Sequence, residues 1–279
     1  MRKLQKLNFG SDIPRLTIEA PEELAAARIR LESFDTRRLR GVMQLVGLDE
    51  AGDPIRVVLA PEGSPLARQA PPPIAGFASQ DADLIVLFPA RSPAYPHDTL
   101  EDVLHHEVAH VLIWRAARGA PLPLWFQEGL AVLAERTWRL EDHARLLREL
   151  VLVSRTPLDR VDALFAGDGA SRARAYTLAA AFVREVNRRH GADAAANILR
   201  RVGRGDTFER AFAHATGESV SAAEIAFWNG HRFWTSIGPF LTTQAALWMI
   251  VTIVGLVAII RRRQQRAAQR ARWEEQGFD

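Results

Sequence analysis

The sequence predicts an α+β protein with a C-terminal membrane anchor, and three observations predict it. Two short runs rich in β-branched and aromatic residues, 54–61 and 82–89, lie in the first part of the chain and read as strands. From residue 98 to 235 the text is mainly helical, with apolar periodic stretches broken by Gly and Pro clusters. Residues 237–260 contain no charged side chain, and about twenty apolar residues suffice to cross a bilayer. The expected organisation is an α/β lobe (14–97) and a helical lobe (98–235), then a transmembrane helix (237–260) and a basic tail (261–279).

Each element has a local reason. Pro21-Glu22-Glu23 resembles a helix start with acids in its first turn, and residues 21–46 are mostly helix-forming. The stretch 61–76 is rich in Pro and Gly and reads as a loop bordering a cleft, with Ala70-Pro71-Pro72-Pro73 acting as a lid or a spacer. Thr99-Leu100-Glu101-Asp102 is a capped start for a helix beginning near residue 100. Gly119-Ala120-Pro121-Leu122-Pro123 ends that helix in a turn, and a second begins near Leu124. Gly167-Asp168-Gly169 marks a loop among the later helices.

The first helix of the second lobe carries the chemistry. His106-Glu107-Val108-Ala109-His110 reads H-E-x-x-H inside an apolar run. Residues four apart on a helix lie about 40° apart around the axis, so His106 and His110 can reach one metal ion together. Glu107 is turned about 100° away and can lean over that ion without ligating it. Two imidazoles suit Zn2+, and the adjacent carboxylate suits a general base acting on zinc-bound water. Two histidines on a buried face without a metal would each need hydrogen-bond partners.

A catalytic zinc site needs three protein ligands and an open position. Glu128, eighteen residues after His110, is the candidate third ligand. Its neighbours Trp125, Phe126, Leu130 and Val132 describe a buried helix, where an unpaired carboxylate is out of place.

H-E-V-A-H followed by W-F-Q-E-G-L-A resembles the gluzincin zinc metallopeptidases, specifically the bacterial peptidase MA-like group. The resemblance runs over about residues 16–228. It includes the weaker segments at 175–183 and 208–212, similar to Y-x-x-x-x-x-F-V and F-E-x-A-F, and Gly191 between them. It implies a zincin-like metallopeptidase fold, zinc ligands His106, His110 and Glu128, and catalytic Glu107. Gluzincins often use a Tyr or His to hydrogen-bond the oxyanion, which points to Tyr176, one of only two tyrosines. The other, Tyr95, sits in a Pro-rich loop and is the poorer candidate. The resemblance also suggests that the strand at 82–89 runs along the cleft, where its edge can pair with an extended peptide.

The chain departs from the family at one point. Some gluzincins carry an Asp four residues past the glutamate ligand, which orients a histidine. Here that position is Val132. Asp102 either serves instead or belongs to the first turn of its helix. His105 points about 100° from His106 and reads as a packed or pocket-rim histidine.

Charge orients the anchor. The tail 261–279 has six Arg against three acids, so it carries the whole formal charge of +3. The positive-inside rule places it in the cytoplasm and the preceding domain outside, as a single-pass cell-membrane protein. Residues 1–20 hold no continuous apolar run of the signal-peptide kind. Either the span itself or a start further upstream then exports the domain, or the domain is cytoplasmic and the tail crosses, which is disfavoured because it moves many arginines through the membrane. No basic stripe with interleaved aromatics appears, so the expected partners are a peptide or protein substrate and the membrane, not nucleic acid. With no cysteine, neither disulfides nor thiolate ligands are possible. The leading expectation is a membrane-anchored zinc peptidase. The alternative is a catalytically inactive zincin-fold binding or scaffold module at the membrane.

Overall fold

The computed structural model describes residues 13–70, 74–79, 83–92, 96–135, 140–152 and 155–231, with positions 252, 255, 256, 261 and 262 beyond them. Two compact units separate. The first spans 1–146 and 156–229, and the second spans 147–155 and 230–279. The fold is α+β, with a small sheet and many helices.

The sheet has four strands, β1 (Leu16–Glu19), β2 (Ile55–Leu59), β3 (Gly76–Ser79) and β4 (Leu84–Leu87), in the order β1-β2-β4-β3. β1, β2 and β4 run parallel, and β3 runs antiparallel to β4 with Phe77 opposite Val86. The two strands read from the sequence are β2 and β4. β1 went unread, although Leu16-Thr17-Ile18-Glu19 alternates apolar and polar residues. The expected edge is corrected: β4 lies inside the sheet, buried along Ile85-Val86-Leu87, and among the described residues the edge strands are β1 and β3. The expected loop at 61–76 also holds a short helix, α3 (Pro65–Gln69), whose N-cap Ser64 accepts from the Ala67 N–H. Its end, Gly76, opens β3.

β1 and β2 are joined through α1 (Ala25–Glu32) and α2 (Leu39–Val46). α2 buries Leu39, Val42, Met43 and Val46, the single apolar stripe of an amphipathic helix. The far side of β4 closes on Ala60, Ala67 and Phe88. Buried Arg91 stacks over the Phe88 ring and donates to the carbonyls of Ala67 and Ile74. It thereby pins the segment that leads into β3.

α4 (Leu100–Ala116) is the axis of the first unit. It buries residues on every face, from Leu100 and Val103 through Val111, Leu112 and Ile113, as a helix enclosed by a core must. Its start is the expected cap. Thr99 Oγ1 accepts from the Asp102 N–H (3.1 Å) and donates to the Asp102 carboxylate (2.8 Å). At the other end Arg115 donates to Asp83 Oδ1 and to the carbonyls of Ala51 and Asp53, tying the helix to the sheet.

After the turn at Arg118 and Gly119, both left-handed, α5 (Leu124–Glu135) returns across α4. Then come α6 (Leu140–Leu152), α7 (Leu158–Leu164), α8 (Gly169–His190), α9 (Ala194–Val202), α10 (Phe208–Thr216) and α11 (Val220–Gly230). α8 is long and capped by Asp168, which accepts from the Ser171 N–H (2.8 Å). It packs most extensively on α5, where Gly129 allows close approach. A Cβ at Gly129 would stand 2.6 Å from the Ala179 carbonyl oxygen. Trp125 and Phe126 of α5 meet Phe182 and Phe208 in an edge-to-face cluster that locks α5, α8 and α10 together.

The expected span at 237–260 and the tail lie outside the described residues, apart from the five isolated positions. Among the described residues no helix is long and apolar enough to cross a membrane.

Candidate metal centre

The core packing of α4, α5 and α8 turns five polar side chains inward at one place. His106 and His110 stand on successive turns of α4, with ring centroids 4.8 Å apart. Glu128 faces them from the second turn of α5. Its Oε2 lies 3.3 Å from His106 Nε2 and 3.5 Å from His110 Nε2, and the two nitrogens are 3.1 Å apart. Glu107 and Tyr176 line the same cavity, of about 300 Å³. The structure thus brings together all five residues singled out from the sequence.

The donor set fits zinc. Two imidazole nitrogens and one carboxylate oxygen form the right chemistry for a three-ligand site. In a tetrahedral shell with bonds of about 2.0–2.1 Å, ligand atoms stand about 3.3–3.4 Å from one another. The three atoms here already lie at 3.1–3.5 Å. Glu128 Oε2 is buried with no hydrogen-bond partner, so its distances to the imidazoles reflect convergence on a shared point.

The electrostatics are those of a tightly paired cluster. Burial works against a charge on His106, but Glu128 and then Glu135 outweigh it and raise the imidazole to about 10. Burial likewise opposes the charge on Glu128, yet His110 and His106 hold it well below the usual carboxylate range. Tyr176 is pushed up well above its ordinary value, first by burial and then by the Glu128 and Glu107 carboxylates. Its phenol therefore remains a hydrogen-bond donor across the neutral range.

Three further residues belong to the site and were not read from the sequence. Glu135, the last residue of α5, puts Oε2 3.5 Å from His106 Nδ1 and 3.0 Å from His97 Nδ1. The His97 ring stands edge-on to that of His106, 4.6 Å away. Glu135 hydrogen-bonds His97 and stands close to the nitrogen of His106 that does not face Glu128, the place an orienting carboxylate takes behind a ligating histidine. The signal was present: residue 135 is seven past 128, so both lie on one face of the helix. Arg172, four residues before Tyr176 on α8, lines the cavity as well. His97 and Glu135 with His106 form a second group within metal-holding reach, but it shares the His106 ring with the first.

The two undecided residues fall elsewhere. Asp102 works in the cap of α4 and not on a histidine. His105 is packed in the core beside the Phe34 ring, and burial, then the Arg38 charge, lowers it to about 4. Val132 is buried.

The cavity opens beside the sheet edge. Ile74, Ala75, Gly76, Phe77 and Ala78 form one wall, so β3, an edge strand among the described residues, lines the same cavity as His106, His110 and Glu128.

No protein-family model and no curated protein sequence matches this chain.

Proposed function

We propose that the chain is a zinc-dependent peptidase of the gluzincin type with a zincin-like fold, held at the membrane by its C-terminal segment. The observation that carries this reading is the convergence of His106 Nε2, His110 Nε2 and Glu128 Oε2 at 3.1–3.5 Å, with Glu107 and Tyr176 on the same cavity. Zinc held there supplies a water acidified to a pKa of about 7 and a polarised substrate carbonyl.

The chain's own residues do the rest. An extended peptide adds to the free edge of β3, which fixes its direction and register by main-chain hydrogen bonds. Glu107 takes a proton from the attacking water and delivers it to the leaving nitrogen as the C–N bond breaks. The Tyr176 hydroxyl donates to the carbonyl oxygen as that atom gains charge. Glu135 and His97 hold the His106 ring in place. The uncharged run 237–260 anchors the domain, and the arginine-rich tail keeps the cytoplasmic side, so the peptidase works outside the cytoplasm.

The test uses the full-length chain. One zinc per chain is expected in the wild type, with a marked loss in Glu128→Ala. Glu107→Gln should keep zinc and lose hydrolysis of a mixed peptide pool. A Glu107→Gln variant that fully replaces the wild type in the cell would instead make the protein a zincin-fold binding or scaffold module.

A further inference from the structure

Arg172 has no catalytic task in the reaction above, yet it stands in the cavity wall one helical turn from Tyr176. Its Nη1 donates to the Gly167 carbonyl oxygen at 2.6 Å, a neutral acceptor. Among the described residues no carboxylate pairs with it within 4 Å, whereas Arg91, Arg115, Arg188 and Arg201 each have an acidic partner. A guanidinium has five donors in a rigid fork that matches a carboxylate two-to-two. Most of that fork is unused here.

The charge balance of the cavity explains what could use it. Glu107 and Glu128 are the carboxylates of its lining, and a bound divalent cation offsets both. With the cation held by His106, His110 and Glu128, Arg172 stands as a fixed positive charge of the cavity wall in a partly desolvated setting, where charge-assisted hydrogen bonds are strongest. Asp168, four residues earlier, feels the Arg172 charge, but its carboxylate is engaged in capping α8 through the Ser171 N–H. Arg172 shares a cavity with the candidate reacting groups.

We infer that Arg172 selects substrates bearing a carboxylate beside the bond to be cut, either an acidic side chain or the free C-terminus of a short peptide. The inference rests on the zinc-peptidase reading and deepens it: the site prefers acidic peptides or peptide ends over neutral interior sequences. The step selected is the same hydrolysis, with the carboxylate bound and unchanged.

The test is binding, not turnover. Short peptide hydroxamates, which anchor on zinc, are titrated calorimetrically into the zinc-loaded full-length protein in two matched pairs. One pair differs as Glu against Gln in a side chain, the other as carboxylate against carboxamide at the C-terminus. At least one pair should favour the carboxylate by roughly tenfold or more, as a charge-assisted bidentate contact implies. The ratio should fall below about twofold in Arg172→Gln and be partly kept in Arg172→Lys, with zinc content equal in all three proteins. The pair that discriminates tells which source of carboxylate the site reads. Equal binding within both pairs, or a preference that survives Arg172→Gln, overturns the inference. Carboxylate preference without cleavage of any peptide overturns the peptidase reading alone, and hydroxamates that fail to bind overturn both.

Discussion

Glu135 Oε2 lies 3.5 Å from Nδ1 of His106, while Nε2 of the same ring lies 3.3 Å from Glu128 Oε2. The imidazole thus lies between two carboxylates of one helix, two turns apart, which holds its Nε2 toward the candidate metal position.

Removing the outer carboxylate should therefore weaken metal binding without unfolding the site. Glu135→Ala is expected to lower zinc affinity by about 10–100-fold, the range for carboxylates that orient ligating histidines. Competition against a chelator of known affinity measures it, with circular dichroism as the control for fold. An affinity within about twofold of the wild type would show that Glu135 serves only His97.

The contrast between Glu128 and Glu135 shows what the sequence could reveal. Glu128 was legible as a candidate because a catalytic zinc site needs a third ligand and Glu128 is a carboxylate set in an apolar helix with Trp125, Phe126, Leu130 and Val132. Glu135 was not, because an orienting group has no fixed spacing, and the position four past Glu128 holds Val132. β2, β4 and the capped start of α4 were legible from local patterns, which need no partner to be recognised. The sheet order was not, because strand neighbours are set by tertiary packing. That is why β4, expected from the resemblance to offer an edge, lies inside the sheet while β3 is the edge strand beside it. Arg172 had no motif at all. Only the rotation of α8 against α5 places it in the cavity.

The contact of α5 with α8 sets the distance between Glu128 and Tyr176, and Gly129 sets that contact. A Cβ there would stand 2.6 Å from the Ala179 carbonyl oxygen and 2.8 Å from a Val183 methyl, too close for either to remain in place. Gly129→Ala should cost about 1–3 kcal/mol by overpacking, in spite of the better helix propensity of alanine. Urea denaturation measures the loss. Zinc affinity should fall with it, because the residue forced away from α8 adjoins Glu128, the proposed third ligand. An unchanged midpoint would mean that the two helices separate at no cost.

The start of α5 is held from another helix. Asp162 of α7 accepts from the Trp125 N–H at 2.7 Å, and its burial raises its pKa above the ordinary aspartate value. A raised pKa in the folded state means that protonation favours the fold. The stability it adds is complete below the unfolded pKa and lost as pH rises through the folded one. At neutral pH the charge is thus a cost that asparagine avoids while keeping the acceptor. Asp162→Asn should equal or slightly exceed the wild type at pH 7, with the difference shrinking as the pH falls through the acidic range. Asp162→Ala should lose about 1 kcal/mol or more at pH 7 through the orphaned N–H groups. Denaturation of the three proteins at two pH values decides it, and equal stability of the Ala and Asn variants would remove Asp162 from the capping role.

Tyr176 offers the cleanest separation of chemistry from packing. Its ring lies 5.2 Å from that of Phe165 and 6.2 Å from that of His106, contacts that phenylalanine preserves. Only the hydroxyl changes in Tyr176→Phe, so fold and zinc content should match the wild type. If that hydroxyl donates to the carbonyl oxygen as charge develops, its loss acts mainly on the transition state. kcat should drop by about 10²–10³-fold, the usual effect of deleting one oxyanion donor, and KM should move little. Steady-state kinetics on a peptide that the wild type cleaves separates the two parameters. A rise in KM at constant kcat would mean that the hydroxyl binds substrate uniformly, and a kcat within about twofold would reduce Tyr176 to a wall of the cavity.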